Sequence, residues 1–263
     1  MTNIFELFKD PYERKARAVP GLLVALPLMV PLLCVYGAKH PVLTGVIGLL
    51  GSCGALYALA SVVRGRGKKL EGTLLKEWGG MPTTIALRHQ DAFLDSISKQ
   101  RYHDAISTKL GIAMPTAEEE TLNPAKADDT YVGATKRLRE LTRGDKQLLL
   151  KENISYGFHR NMLAMKPVGI FICFFGLFYG LVISKVLQVA PPYFVPINIA
   201  APGLAAGLTF LTSLSLLATW LFYFDKEAVR CMGFVYAERL FECLPSLHST
   251  MQRKRVAKTP LAN

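Results

Sequence analysis

Four apolar segments dominate this chain, at residues 19–36, 41–63, 167–189 and 202–224, and together they contain one charge, Lys185. Three of them are 23 residues long and the first is 18. A helix needs ~20 apolar residues to cross ~30 Å of hydrocarbon, so each is read as a membrane span. The connector 37–40 holds one lysine and the connector 190–201 no charge at all. Of the 31 Lys and Arg residues, 29 lie outside the spans and these connectors. Basic residues collect on the cytoplasmic side of spans, which places the N-terminus, the middle segment and the C-terminal tail in the cytoplasm.

The expected fold is an all-α integral membrane protein with four transmembrane helices, arranged as two hairpins flanking a helical cytoplasmic domain. Its parts are an interfacial segment at 1–18, hairpin one at 19–63, the cytoplasmic domain at 64–166, hairpin two at 167–224, and a cytoplasmic helix with a basic tail at 225–263. The first span carries Pro20, Pro27 and Pro31, which membrane helices tolerate where neighbours re-satisfy the freed carbonyls. No small-x-small cleavage site follows its apolar run, so it reads as a retained span. Localisation to a bacterial inner membrane follows, with a lipid bilayer as the first partner.

Charge limits the function further. The middle segment 64–166 carries a net +5 of the +11 total. Positive-inside bias and anionic lipid heads account for such an excess, as does an anionic ligand. The five cysteines form no C-x-x-C pair, and no two histidines stand three or four apart, so neither a disulfide framework nor a metal site is expected. No catalytic residue and no cofactor are predicted. An enzyme acting on lipid or cell-wall precursors would have only His89, Asp91 and His159 to draw on.

Local signals break the middle segment into helices. Gly79-Gly80-Met81-Pro82 stops the helix that leaves span two. Thr83 or Thr84 is expected to cap a helix carrying Ile85, Leu87, Phe93, Leu94 and Ile97, followed by a helix over 99–110. Thr116 with Glu119 reads as a capping box whose acidic start, residues 118–120, is solvated. Asn123-Pro124 opens a further helix. Residues 143–145 form a turn, 146–166 feed span three, and the tail helix continues from span four.

Three constellations remain for function. The first is anionic: Gly79, Gly80, Thr83, Thr84 and Arg88 present backbone N–H groups, hydroxyls and a guanidinium, the elements of an anion cradle or of a plain helix stop and cap. Lys136, Arg137 and Arg139 add a basic cluster suited to nucleotide phosphates or to a solvated face. The second is a hydroxyl stripe in span four, Thr209, Thr212, Ser213 and Thr219, which either lines a pore or bonds back to its own helix. The third is small residues: Gly45, Gly48, Gly51 and Gly54 in span two, Gly176 and Gly180 in span three. These allow close helix packing within one subunit or between the copies of a homo-oligomer.

The strings Leu-Leu-Lys-Glu-Trp-Gly-Gly-Met-Pro-Thr-Thr (74–84) and Glu-Asn-Ile-Ser-Tyr-Gly-Phe-His-Arg-Asn (152–161) resemble those of a loosely described group of bacterial inner-membrane proteins. The layout is similar to that of anti-phage membrane effectors such as the Hailong channel effectors. The resemblance implies an oligomeric channel or effector opened by a nucleotide or oligonucleotide ligand. The alternative is a non-catalytic anchor or adaptor that docks a cytoplasmic protein partner.

Overall fold

The computed structural model describes residues 9–37, 41–143 and 147–247, without the side chains of 41–44 and 46–53. The amphipathic residues 1–8, the connector 38–40, Gly144 and Asp145 of the expected turn, the basic tail 248–263, and Gly48 and Gly51 of the small-residue series therefore lie outside the description.

Every regular element among the described residues is a helix. Besides short 3-10 turns at Pro196–Ile199 and Leu244–Ser246, these are in chain order α1 (Glu13–Gly37), α2 (Pro41–Trp78), α3 (Pro82–Ile85), α4 (Ser96–Leu110), α5 (Ala117–Leu122), α6 (Pro124–Leu141), α7 (Gln147–Ile183), α8 (Gly203–Phe222) and α9 (Lys226–Phe241). Wide π turns occupy the two ends of α1, at Glu13–Ala18 and Leu33–Gly37. Among the described residues three helices, α1, α7 and α8, are long and apolar enough to cross a membrane. The apolar stretch 41–63 forms the first part of α2, which runs on without a break to Trp78.

The chain divides into two compact units, 1–72 with 157–229, and 73–156 with 230–263. In the first, α1 packs against α8. Val24, Val63, Met162, Met165, Cys173, Trp220 and Phe224 make its core. Glycines set how closely the helices approach. A Cβ at Gly176 would lie 2.5 Å from the Ser213 hydroxyl and 3.1 Å from the Pro27 carbonyl oxygen. Pro31 has no N–H to offer that carbonyl, so the helix is open there and α7 crosses it where it has no side chain. A Cβ at Gly180 would meet the Phe210 ring at 2.7 Å, and one at Gly169 would fall inside the Trp220 indole. Outward, α7 and α8 present Phe171, Phe174, Phe178, Leu204, Leu211 and Leu214. A helix apolar on both its packed and its open faces suits lipid.

The string 152–161 is largely accounted for by this packing. Gly157 lies against the Tyr12 ring, Arg160 pairs with Glu71 at 2.7 Å, and the fully buried Asn161 donates to the Ala16 carbonyl at 2.6 Å.

In the second unit, Leu87, Tyr102, Ile106, Tyr131 and Leu138 meet Leu240, Phe241 and Leu244 from the C-terminal segment. Lys109 fastens that segment by donating to the carbonyls of Pro245 and Leu247. The expected caps at Thr116 and Asn123 form: the Thr116 hydroxyl and Glu119 carboxylate exchange bonds with each other's backbone N–H, and Asn123 accepts from Lys126 N–H at 3.1 Å.

Several expectations are corrected. No single helix runs through residues 85–97; residues 86–95 lie between two helices. α3 is one turn long, Thr83 and Thr84 are buried within it, and Met81 stands at its start. Side chains satisfy much of the backbone of 88–91: the Lys99 ammonium donates to the carbonyls of Arg88 and Asp91, and Glu120 accepts from the N–H of His89 and Gln90, while the N–H of Arg88 and Asp91 make turn bonds. With those groups satisfied, a helix gains nothing there. Asp95 then caps α4, so it starts at Ser96 and leaves Ile97 80% exposed. Glu120 is buried, also taking the Tyr131 hydroxyl at 2.5 Å, and is not part of a solvated start. The helix of span three stops at Ile183, before its apolar run ends. α8 and α9 are separate helices, because Asp225 caps a new start by accepting from Ala228 N–H.

Candidate anion-binding site

The loop after α2 closes on itself. Gly79 and Gly80 adopt φ of +77° and +149°, and Gly80 N–H donates to the Leu75 carbonyl at 2.9 Å. This is a Schellman ending, which needs residues free of a Cβ. Arg88 folds back over it. Its Nε and Nη2 donate to the two carboxylate oxygens of Asp128 at 2.8 and 2.7 Å, and Nη2 also reaches the Gly79 carbonyl at 2.6 Å. Hydrogen bonding to Asp128 holds the guanidinium above its ordinary pKa. The buried Thr83 hydroxyl has no hydrogen-bond partner among the described residues. Gly79, Gly80, Thr83, Thr84 and Arg88 are thus brought together, but Arg88 is already committed to a carboxylate and a carbonyl. The arrangement is a clasp tying the α2 ending to α6.

The second basic cluster is arranged differently. Arg137 pairs with Glu140 on the open face of α6. Lys136 and Arg139, together with Arg143, border a cavity of about 620 Å³. Gln147, Leu149 and Asn153 of α7 and Tyr236 of α9 also line it. Among the described lining residues, three cations stand against one acid, Glu140, which Arg137 already engages. The cavity joins a cationic rim to amide groups, an apolar wall and a phenol. Such a set can hold a phosphate or carboxylate by charge and an organic body by contact. Of the residues singled out from the sequence, Lys136 and Arg139 line this cavity; Arg143, Asn153 and Tyr236, which also line it, were not among them. Spacing alone could have found Arg143, which continues the helical three-and-four step from Lys136 and Arg139.

In α8 the hydroxyls of Thr209, Thr212 and Thr219 donate to the carbonyls of Ala205, Leu208 and Ser215, four residues back. Thr209 and Ser213 are fully buried, Ser213 against Gly176. Gly176 and Gly180 make their close contacts within one chain, whereas nothing approaches the Cβ positions of Gly45 and Gly54 within 4 Å.

His89 Nε2 donates to the Pro115 carbonyl at 3.0 Å, and His159 Nε2 lies 3.4 Å from the Tyr223 hydroxyl. His89 and Asp91 belong to one compact unit and His159 to the other. Among the described residues no group of three His, Cys, Asp or Glu side chains could hold a metal ion. No protein-family model, curated protein or solved structure matches this chain.

Proposed function

We propose that the protein is an oligomeric inner-membrane effector or channel, of the kind used in anti-phage defence, that responds to an anionic nucleotide-type ligand. The observation that carries this is the cavity bordered by Lys136, Arg139 and Arg143, with Tyr236 and Asn153 for the organic part of a ligand. Its walls come from α6, α7 and α9, so a ligand there contacts three helices at once and favours whichever arrangement closes on it. In this reading the stretch 41–63 is a fourth span, the spans form two hairpins, and both termini and the middle segment are cytoplasmic. Copies associate in the membrane, and the conducting path forms between them.

A second reading, a non-catalytic anchor or adaptor that docks a cytoplasmic protein, draws support from α8. Three of its four stripe hydroxyls donate to carbonyls of the same helix and the fourth, Ser213, is buried against Gly176, an arrangement that packing within one chain explains without a pore.

The test uses full-length protein in liposomes with a fluorescent adenine nucleotide and a fluorescent trinucleotide as probes. The channel reading expects one probe to bind, ion flux to follow, and both to be lost in the Lys136→Ala/Arg139→Ala/Arg143→Ala variant. Binding without flux favours the adaptor. No binding of either probe, or flux that ignores the triple substitution, overturns the ligand-gated reading.

A further inference from the structure

The loop between α7 and α8 turns its apolar side chains outward. Val189 is 98% exposed, Ile197 75%, Tyr193 63% and Phe194 60%. Residues 186–201 contain no charge. An uncharged loop with this much exposed apolar surface is ill suited to water.

The loop is nonetheless built. Its two arms pair as a short antiparallel bridge at Leu187 and Phe194. Val195 N–H donates to the Val186 carbonyl at 2.8 Å, and Gln188 N–H to the Tyr193 carbonyl at 3.0 Å. Lys185, the only residue other than glycine with positive φ among the described residues, turns the chain out of α7. Its carbonyl accepts from the side-chain amides of Gln188 and Asn198. Part of the backbone, at Lys185, Val186, Gln188, Tyr193 and Val195, is thus partnered internally, which lowers the cost of leaving water, while large apolar side chains point away.

We infer that residues 186–199 form an interfacial foot whose partner is the lipid bilayer itself. Val189, Tyr193, Phe194 and Ile197 lie in the boundary between headgroups and acyl chains. The loop leaves the end of one membrane-length helix and enters the next, so its exposed side chains continue the outward apolar faces of α7 and α8. Tyr193 suits this depth, where one end of a ring meets hydrocarbon and the other water. The exposed Lys185 ammonium stands at the level of lipid phosphates. The foot fixes the α7–α8 hairpin in depth. This inference rests on α7 and α8 crossing the bilayer.

Photo-crosslinking of the full chain in liposomes tests it. The photoreactive residue p-benzoylphenylalanine replaces Tyr193, Phe194 or Ile197 in turn, and Leu211, exposed on the middle of α8, serves as the reference position. Mass spectrometry then reads the adduct. Lipid adducts at the loop positions and at Leu211 are expected. A lipid adduct at Leu211 with none at the loop puts the loop in water and overturns the inference. Crosslinks from the loop to a second copy overturn it in favour of a protein interface. No lipid adduct at Leu211 removes the premise that α8 spans.

Discussion

Arg88 decides between two uses of the same atoms. An anion cradle needs a guanidinium aimed at its ligand, and here the Nε and Nη2 donors are taken by both Asp128 oxygens and the Gly79 carbonyl. The pair is bidentate and partly shielded, so it holds α6 against the α2 ending. A charged hydrogen-bonded pair of this kind contributes about 1.5–3 kcal/mol. Arg88→Met and Asp128→Asn are each expected to lower the melting temperature of the detergent-solubilised protein by several degrees, with the double variant little worse than either single one. Binding of the nucleotide probes is expected to survive in all three. Loss of binding with an unchanged melting temperature would return Arg88 to the ligand site. Sequence alone brings Gly79, Gly80 and Arg88 to one place because they are close in the chain. Asp128 stands 40 positions away from Arg88, and no local pattern announces it.

At the scale of elements, the same divide between local and distant partners separates what was legible from what was not. The caps of α5 and α6 were readable because their bonds join residues three apart. The one-turn α3 was not, because Lys99 and Glu120 satisfy much of the 88–91 backbone from other helices. Of the cationic rim, Lys136 and Arg139 lie on α6 and Arg143 two residues past its end, all close in the chain, whereas Tyr236 arrives from α9. The apolar run of span three predicts 167–189, yet the turn at Lys185 ends the helix at Ile183.

This distant polar network makes the α4–α6 core sensitive to acid. His103 is buried, donates from Nε2 to the Leu87 carbonyl at 2.8 Å, and faces the His89 ring, Lys99, Glu120 and Tyr131. Burial holds its imidazole below the ordinary value, against the pull of the Leu87 bond. Unfolded His takes its proton near about 6.5 while folded His103 still refuses it, so stability falls as pH drops through that window. Burial alone would raise Glu120, but bonds from Tyr131 and the N–H of His89 and Gln90 hold it below the ordinary carboxyl value. Its contribution is present above the unfolded value of about 4.3 and is lost as pH falls through the lower folded one. Hydrogen exchange in peptides from 96–110 is expected to quicken between pH 7.5 and 5.5, after correction for the intrinsic rate. His103→Gln, which keeps a donor for the Leu87 carbonyl, is expected to flatten that change. An unaltered pH dependence in the variant would show that another group controls it.

For the whole molecule, the open choice is whether the chain crosses the membrane three times or four. α2 and α7 have 38 and 37 residues, about 55 Å each at 1.5 Å per residue, nearly twice the ~30 Å of hydrocarbon. Each therefore has room for a lipid half and an aqueous half. In α7 the apolar part follows Lys166, and in α2 the apolar part precedes the basic cluster Arg64, Arg66, Lys68 and Lys69. The two helices are mirror images in composition, apolar toward opposite ends, which is what a chain leaving and re-entering one membrane face requires. If α1, α7 and α8 alone crossed, the N-terminus would lie opposite both the 73–156 unit and the C-terminal tail. The residues 1–18, with a net charge of +1, and the tail 225–263, with +3, would then be separated by the membrane. Placing both basic ends on one side obeys the positive-inside bias and needs the crossing at 41–63. Separate fusions of a fluorescent protein that folds only in the cytoplasm, one at each terminus of the full chain in a bacterial host, decide the matter. Four crossings predict fluorescence from both fusions at comparable expression. A dark N-terminal fusion beside a bright C-terminal one would mean three crossings, with the stretch 41–63 lying outside the bilayer core.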